Sequence, residues 1–465
     1  MSNGTTGTTY RRGSVFGALL LIGIGFLFLY ANVNPEFNPW TLLARYWPVL
    51  IIFWGLSRLA DYFILRGTDQ AAAVTRIGAG DIIGLIFILI FGTIFTQMVR
   101  FGSEGGLGPR FVGDDFFAPC LFGQEQEFSE QLEQALTPAD KLDLSNLRGD
   151  VTVTAASAPQ LRISVRKKFC APNSADAESL NQNVQARLER ISDGYQFRME
   201  GPGDVERTPL VRTDLDIQLP ATRELVVGTR RGDVTLRGTA GNVTLRVERG
   251  DVTVENVKGD VQLDLRHGDV AVADVSGAVR VDGRGGEVEL RNVAGSAAVV
   301  GEYGGPIRLA NVQGPARFES RRTRFTASKI DGEFTTGGGF RLRGVPGDVT
   351  LETKDYDIDV EEVTGEINIT NRNGPVRLRV PRAPRYPISI ETRNGDIELT
   401  LPADSGFKID ASARDGEIES DFEGPGLQKS DDDRHDNATL TGTVGSGAVA
   451  IKLTTTHGVI RLRRR

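Results

Sequence analysis

Gly250-Asp251-Val252-Thr253-Val254-Glu255-Asn256-Val257-Lys258 runs straight into Gly259-Asp260-Val261-Gln262-Leu263-Asp264-Leu265-Arg266-His267, and these two nine-residue units decide the fold. Each opens with Gly-Asp-Val. In each, positions 3 and 5 are apolar around a polar residue, the period of a strand with one buried face. Glycine supplies turn dihedrals that a β-carbon would oppose. The Asp after it is a turn former that can hydrogen-bond its own backbone. Outward from here, Gly recurs at 232, 241, 250, 259, 268, 277, 286 and 295, then, after one extra residue near Tyr303, at 305 and 314.

A longer period lies on top of the short one. Units starting at 250, 268, 286 and 305 carry a valine at position eight: Val257, Val275, Val293 and Val312. Asn256, Asp274, Asn292 and Asn311 precede these valines. The units between largely lack the pattern. The structural repeat is therefore predicted to be about 18 residues, two unequal strands and two turns, the arithmetic of a solenoid rung. No single rung can bury its own face, whereas stacked rungs share one core. An antiparallel sandwich of hairpins is the competing architecture, because nine residues also suit a strand plus a turn.

The rhythm loosens between Arg321 and Gly339 and returns at Gly347-Asp348-Val349, Gly365-Glu366-Ile367 and Gly374-Pro375-Val376. Wider spacings follow at Gly395-Asp396-Ile397 and Gly416-Glu417-Ile418. Residues 449–453 and 459–462 are expected to close the domain. The residues expected to make the repeat turns are Gly232, Asp233, Gly241, Asn242, Gly250, Asp251, Gly259, Asp260, Gly268, Asp269, Gly286, Glu287, Gly347, Asp348, Gly395 and Asp396.

The repeat domain is assigned to 231–465 and the first part of the β domain to 139–230. Within the latter, Leu180, Val184, Leu188 and Ile191 stand at helical spacing and predict a surface helix over about 175–191. Residues 101–138 read as a linker opened by a glycine-rich run. Its stretch 124–136 suits either a short amphipathic helix or an extended strand.

Residues 1–100 have a different character. Three apolar runs, about 15–33, 47–65 and 82–99, are each near the roughly 20 residues that cross a bilayer as a helix. Trp40, Tyr46, Trp47 and Tyr62 are placed to anchor at the membrane interfaces. Arg11 and Arg12 precede the first run, and Arg66 and Arg76 lie between the second and third. That bias predicts a multi-pass protein of the cytoplasmic membrane, with the amino terminus inside and the β domain periplasmic or extracellular. If the second run failed to cross, the prediction would reverse. The fold expected overall is mainly β, a solenoid behind an all-α transmembrane region of three helices.

The chain of 465 residues has a formal net charge of -7, against a general nucleic-acid role. Its two cysteines, Cys120 and Cys170, are free to bridge or not in an oxidising compartment.

Leu215 to Pro220, the Gly-Asp-Val units, and the closing Gly447-Ala448-Val449 with His457-Gly458-Val459-Ile460 carry a resemblance. From about 142 to 462 the chain resembles the DUF4097 family of bacterial adhesin-type β-strand repeats. Trp40, the run Tyr46-Trp47-Pro48-Val49-Leu50 and Trp54-Gly55-Leu56 look like the membrane region of bacterial cell-wall stress regulators, of the LiaI/LiaF-like and DUF5668-like kind. The first resemblance implies an adhesin-like domain without a defined ligand or catalytic residues. The second implies membrane partners through which envelope signalling is damped. The chain departs from the compact regulators in its much longer repeat domain.

The repeated acids invite an enzymatic reading, since stacked carboxylates can bind calcium or act as glycosidase pairs. Their places are also held by Asn242, Ala278 and Ser296, a tolerance that suits a turn better than a catalytic carboxylate. His267, His435 and His457 are far apart in sequence. Asp355, Asp357 and Asp359 alternate as if lining one strand face, and Asp431, Asp432, Asp433 and Asp436 fall in a polar loop. No cofactor, metal site or catalytic residue is expected. The expected partners are the lipid bilayer, envelope proteins or glycans, and a membrane signalling protein, with no nucleic acid. The function expected is non-enzymatic display of a recognition, adhesion or scaffolding domain. An envelope-stress regulator and a carbohydrate-active β-helix enzyme are the alternatives.

Overall fold

The computed structural model describes residues 124–201, 211–424, 426–431 and 437–465. The three membrane helices, the aromatics Trp40, Tyr46, Trp47 and Tyr62, Cys120, His435 and the loop acids 432–436 lie outside the described residues. The chain divides into two compact units. One contains Lys167–Val184 with the described ends of Met1–Phe128 and Gly201–Arg212. The other comprises Ser129–Arg166, Gln185–Glu200 and Thr213–Arg465.

In the first unit the helix Ser174–Asn183 is capped by Asn173, whose side chain accepts the Asp176 N–H at 2.9 Å. It ends where the Val184 N–H reaches the Leu180 carbonyl. Lys167 is buried and donates to the Val184 carbonyl at 3.0 Å. Cys170 is disulfide-bonded, and the only other cysteine in the sequence is Cys120.

The helix is shorter than the predicted 175–191. Gln185–Ile191 is instead a strand, antiparallel to Gly194–Glu200 in the second unit. Ala186 is buried and Leu188 half-buried, so a period of two overrode an apolar spacing of four. The expected linker also gives way, among its described residues, to the strand Gln124–Ala135.

The second unit is a stack of rungs that feed two sheets in turn. Val252–Val257 pairs in parallel with Val270–Val275, matching Val252 to Val270, and Val270 in turn matches Val288. In the opposite sheet Val261 matches Val279, which matches Ala297. Both steps are 18 residues. The next, to Ile307 and Ala316, are 19, and absorb the extra residue near Tyr303. The inward residues of both sheets form one continuous core. Asn256, Asp274, Asn292 and Asn311 have φ between +52° and +59°, so each strand bends there and delivers the following valine to the core. Asn and Asp tolerate this left-handed backbone better than other residues with a β-carbon. Their side chains stack as a ladder, Asn292 donating to Asp274 at 2.8 Å and Asn311 to Asn292 at 2.9 Å.

The solenoid departs from a uniform coil in three places. First, Ala316–Glu319 turns back through a hairpin into the antiparallel strand Thr323–Ala327. The chain then runs one rung in reverse, and Ile330–Thr335 is antiparallel to both Ile307–Val312 and Phe340–Val345. This is where the glycine rhythm loosens. Phe318, Phe325, Phe334 and Phe340 fill the core there, with Phe325 and Phe334 stacked at 4.5 Å. Second, the rung built from Lys141–Arg148 and Val151–Ala155 is not terminal. Each of its strands lies between two others, Gly194–Glu200 and Glu224–Arg231 in one sheet, Val211–Leu219 and Val234–Arg237 in the other. Third, the carboxy-terminal rung does not close the domain. Val449–His457 is inserted between Ile388–Asn394 and Phe407–Arg414, and Ile460–Arg464 between Ile397–Leu401 and Ile418–Ser420.

This insertion carries an acid-sensitive contact. Asp396 accepts the Val459 N–H at 2.9 Å and pairs with Arg461 at 2.7 Å. Partial burial opposes its ionised form, but these two donors outweigh that and hold the carboxyl below its ordinary range. The folded pKa thus lies below the unfolded one. The stabilisation is complete above about pH 4 and is lost as pH falls through the lowered value. Wild-type protein should lose stability more steeply below about pH 4 than Asp396→Asn, which keeps an acceptor for Val459. Equal slopes in acid titrations followed by circular dichroism would remove Asp396 from the explanation.

Candidate functional site

The repeated Gly-Asp pairs lie at the corners between strands, and their chemistry runs between rungs. The Asp251 N–H donates to Asp233 at 2.8 Å, the Asp269 N–H to Asp251 at 2.9 Å, and the Glu287 N–H to Asp269 at 2.7 Å. On the opposite sheet the Asp260 N–H donates to Asn242, and the Ala278 N–H to Asp260. Asp348 accepts from Glu366 in the same way. Each side chain therefore satisfies a backbone donor of the next rung, rather than its own backbone as expected from sequence. Asn242 and Asp260 are interchangeable here because both offer an oxygen.

The glycines divide by cause. Gly232, Gly250 and Gly268 have φ near +138°. Gly241, Gly259, Gly286, Gly347 and Gly395 are not in that region, but a β-carbon on any of them would meet the rung below at 2.0 to 2.8 Å.

The acids at 355, 357 and 359 do not share a strand face. Asp355 ends Val349–Asp355, the chain turns at Tyr356 and Asp357, and Ile358–Val363 belongs to the other sheet. Asp355 accepts from Asn373 at 2.7 Å. His457 lies 3.2 Å from Asp415. Among the described residues no group of three His, Cys, Asp or Glu is placed to hold a metal ion.

A site that sequence reasoning missed lies where the step between rungs lengthens. Val349 matches Ile367 after 18 residues, but Ile367 matches Ile388 after 21. The added residues build an overhang, Val380-Pro381-Arg382-Ala383-Pro384-Arg385-Tyr386-Pro387. Three prolines stiffen it at little entropic cost. Beneath it is a cleft of about 630 Å³, floored by corner residues that include Asp348, Thr364 and Gly365. Tyr386 is 51% exposed, the one large hydrophobic side chain so exposed among the described residues. Arg382 and Arg385 line the same cleft, and neither has an ion-pair partner among the described residues. A flat exposed ring can stack on an apolar or sugar face, while guanidinium groups lining the same cleft pair with carboxylate or phosphate. The legible signal was the wider glycine spacing before Gly395.

Residues 139–321 and 345–463 match the family described as Toastrack DUF4097. The interval between the two matched segments holds the reversed rung. Residues 15–59 match the LiaI-LiaF-like transmembrane region. Among curated proteins nothing matches. Solved structures similar to this chain include two described as follows. One, named a "putative cell adhesion protein" from Clostridium sporogenes, has 11% identity, covers 74% of this chain and all of its own, and has a TM-score of 0.17. The other, a "putative adhesin" from Bacteroides fragilis, has 8% identity, covers 73% of this chain and 97% of its own, and has a TM-score of 0.19.

Proposed function

The chain belongs to the Toastrack DUF4097 family, and from that premise we propose that it is a membrane-anchored envelope protein whose β domain recognises an envelope ligand without chemically altering it. The observation that carries this reading is the cleft beneath the proline-stiffened overhang, lined by the exposed Tyr386 and by Arg382 and Arg385. Recognition gains from such preorganisation, because the stack pays no ordering entropy when a ligand arrives.

We place the domain outside the cytoplasmic membrane, as periplasmic or extracellular. Two facts support this, the arginine bias around the apolar runs and the disulfide at Cys170, a bond that persists in oxidising compartments. Cysteines introduced at Ser103 and Thr456 should react with an impermeant probe that reaches the periplasm. Labelling only after the inner membrane is permeabilised would reverse the orientation.

The recognition test is binding of the full chain, in neutral detergent, to isolated envelope fragments. Tyr386→Ala combined with Arg382→Gln and Arg385→Gln should weaken it at least tenfold. Unchanged binding, or cleavage of envelope glycans by the wild-type chain, would overturn the reading. The match of 15–59 to the LiaI-LiaF-like transmembrane region favours a second role, docking of a membrane signalling partner by the anchor. Unaltered stress signalling on deletion would remove it.

A further inference from the structure

The two halves of the stack treat one outward row of side chains in opposite ways. In the first half this row follows the matched residues Thr229, Val247, Leu265, Gly283 and Gly301. It reads Arg230, Glu248, Arg266, Arg284 and Glu302. Three bases and two acids share it: Glu248 lies 3.9 Å from Arg230 and 3.4 Å from Arg266, and Glu302 lies 3.8 Å from Arg321, while Arg284 has no ion-pair partner among the described residues.

In the second half the equivalent row follows Thr353, Asn371, Thr392, Thr455 and Ala413, which match one another across the strands. It reads Lys354, Arg372, Arg393, Thr456 and Arg414. The four basic side chains are exposed, and none has an ion-pair partner among the described residues. Of the acids nearby, Glu352 is engaged by Arg324, Asp355 by Arg322 and Asp415 by His457, while Glu391 stands in the adjoining row without an ion-pair partner among the described residues. Strands lie about 4.8 Å apart, so the row spans roughly 19 Å. Like charges on adjacent strands are destabilising. The first half shows that this fold position accommodates glutamate, so the uncompensated row is not forced by the architecture.

We propose that Lys354, Arg372, Arg393 and Arg414 form a binding track for a linear anionic glycan. The track is one side chain wide. The adjoining outward row contains Glu352, Thr370, Glu391 and Thr454, so a broad anionic surface would meet acids as well as bases. A thin chain with a carboxylate on each unit follows the bases alone. The row presents no aromatic side chain on which a nucleobase would stack. Guanidinium groups suit carboxylates because their planar donors bind in pairs. This inference rests on the domain being a recognition module, but on residues separate from the overhang.

The test uses the full chain in neutral detergent and fluorescein-labelled polygalacturonate, read by fluorescence anisotropy. Wild-type protein should bind, and affinity should fall roughly 50-fold between 50 and 200 mM salt, the scaling for about four charge contacts on a single-stranded polyanion. Lys354→Gln, Arg372→Gln, Arg393→Gln and Arg414→Gln together should weaken binding at least tenfold. Their melting temperature should be equal or higher, because repulsion is relieved. Arg266→Gln, at a base already paired with Glu248, should change nothing, and the methyl-esterified polymer should not bind. Equal binding by wild type and the quadruple variant overturns the track. So does binding to anionic vesicles or duplex DNA in place of the polymer. If wild type still binds envelope fragments through Tyr386 in those cases, the track fails and the recognition reading stands. If wild type binds neither, both fail.

Discussion

Gly250→Ala should destabilise the β domain by about 4 kcal/mol or more, a loss that for a marginally stable fold abolishes most of the native population. Gly250 has φ +139°, a conformation L side chains rarely adopt, and a β-carbon there would lie 2.1 Å from the Gly232 carbonyl oxygen. The backbone strain alone costs about 1 to 3 kcal/mol. The clash adds to it, since the obstructing atom is backbone in a neighbouring rung and cannot rotate away. Gly232 and Gly268 stand directly below and above in the same column, so neither neighbour can yield without disturbing a further rung. Gly424→Ala is the control. It is not in the positive-φ region, and nothing lies within 4 Å of its added β-carbon. Thermal and urea melts should separate the two variants widely. Similar melting of both would show that the glycine column is not a close-packed backbone contact.

The second large effect is expected from the chain end. A protein ending at Ala448 should fail to yield a folded carboxy-terminal half, although it loses only 17 residues. Those residues form an interior rung. Val449, Ile451, Leu453, Ile460 and Leu462 are all buried, and at about 1.5 to 3 kcal/mol per buried aliphatic side chain their loss is on the order of 10 kcal/mol. That equals the whole stability of a typical domain. The loss also strips backbone partners from both sides, because Ile388–Asn394 and Phe407–Arg414 each pair with Val449–His457. A chain ending at Leu462 retains every one of these core side chains. It forgoes the exposed ion pairs of Arg463 with Glu419 and Asp421 and the last backbone bonds, Arg465 with Leu401 and Ala403, and should melt far closer to wild type than the chain ending at Ala448. Hydrogen exchange across 388–420 reads the difference directly. Native protection of that region in the Ala448 truncation would show that the inserted rung is dispensable.

Both expectations follow from a distinction between local and distant contacts. The 18-residue rung was legible because both of its causes are local. Alternation sets which side chains face the core, and the left-handed positions at Asn256, Asp274, Asn292 and Asn311 select residues that tolerate them. The 19-residue step near Tyr303 was legible for the same reason. The helix predicted over about 175–191 ends at Asn183, because Val184, Leu188 and Ile191 fit a helical spacing while Ala186 and Leu188 equally fit the period of two of a strand.

The Asp column was visible in sequence, but its role was not. An Asp after Gly looks the same whether it caps its own turn or the next rung, and the difference depends on a neighbour 18 residues away. The site under the overhang was visible only as a wider glycine spacing. That Tyr386, Arg382 and Arg385 cover a cleft follows from where residues 346–348 and 363–365 are stacked.

Sequence by itself determined that this protein joins a membrane-region segment to a family of stacked β-rungs, because hydrophobic period, glycine spacing and apolar run length are properties of neighbouring residues. Only the tertiary structure decided that one rung runs backward between Thr323 and Thr335, and that the rungs at 141–155 and 449–464 are clasped between others. Strands of the same pattern can pair in either direction and in any order. The choice is made by long-range backbone pairing and shared burial, which no local window of sequence contains.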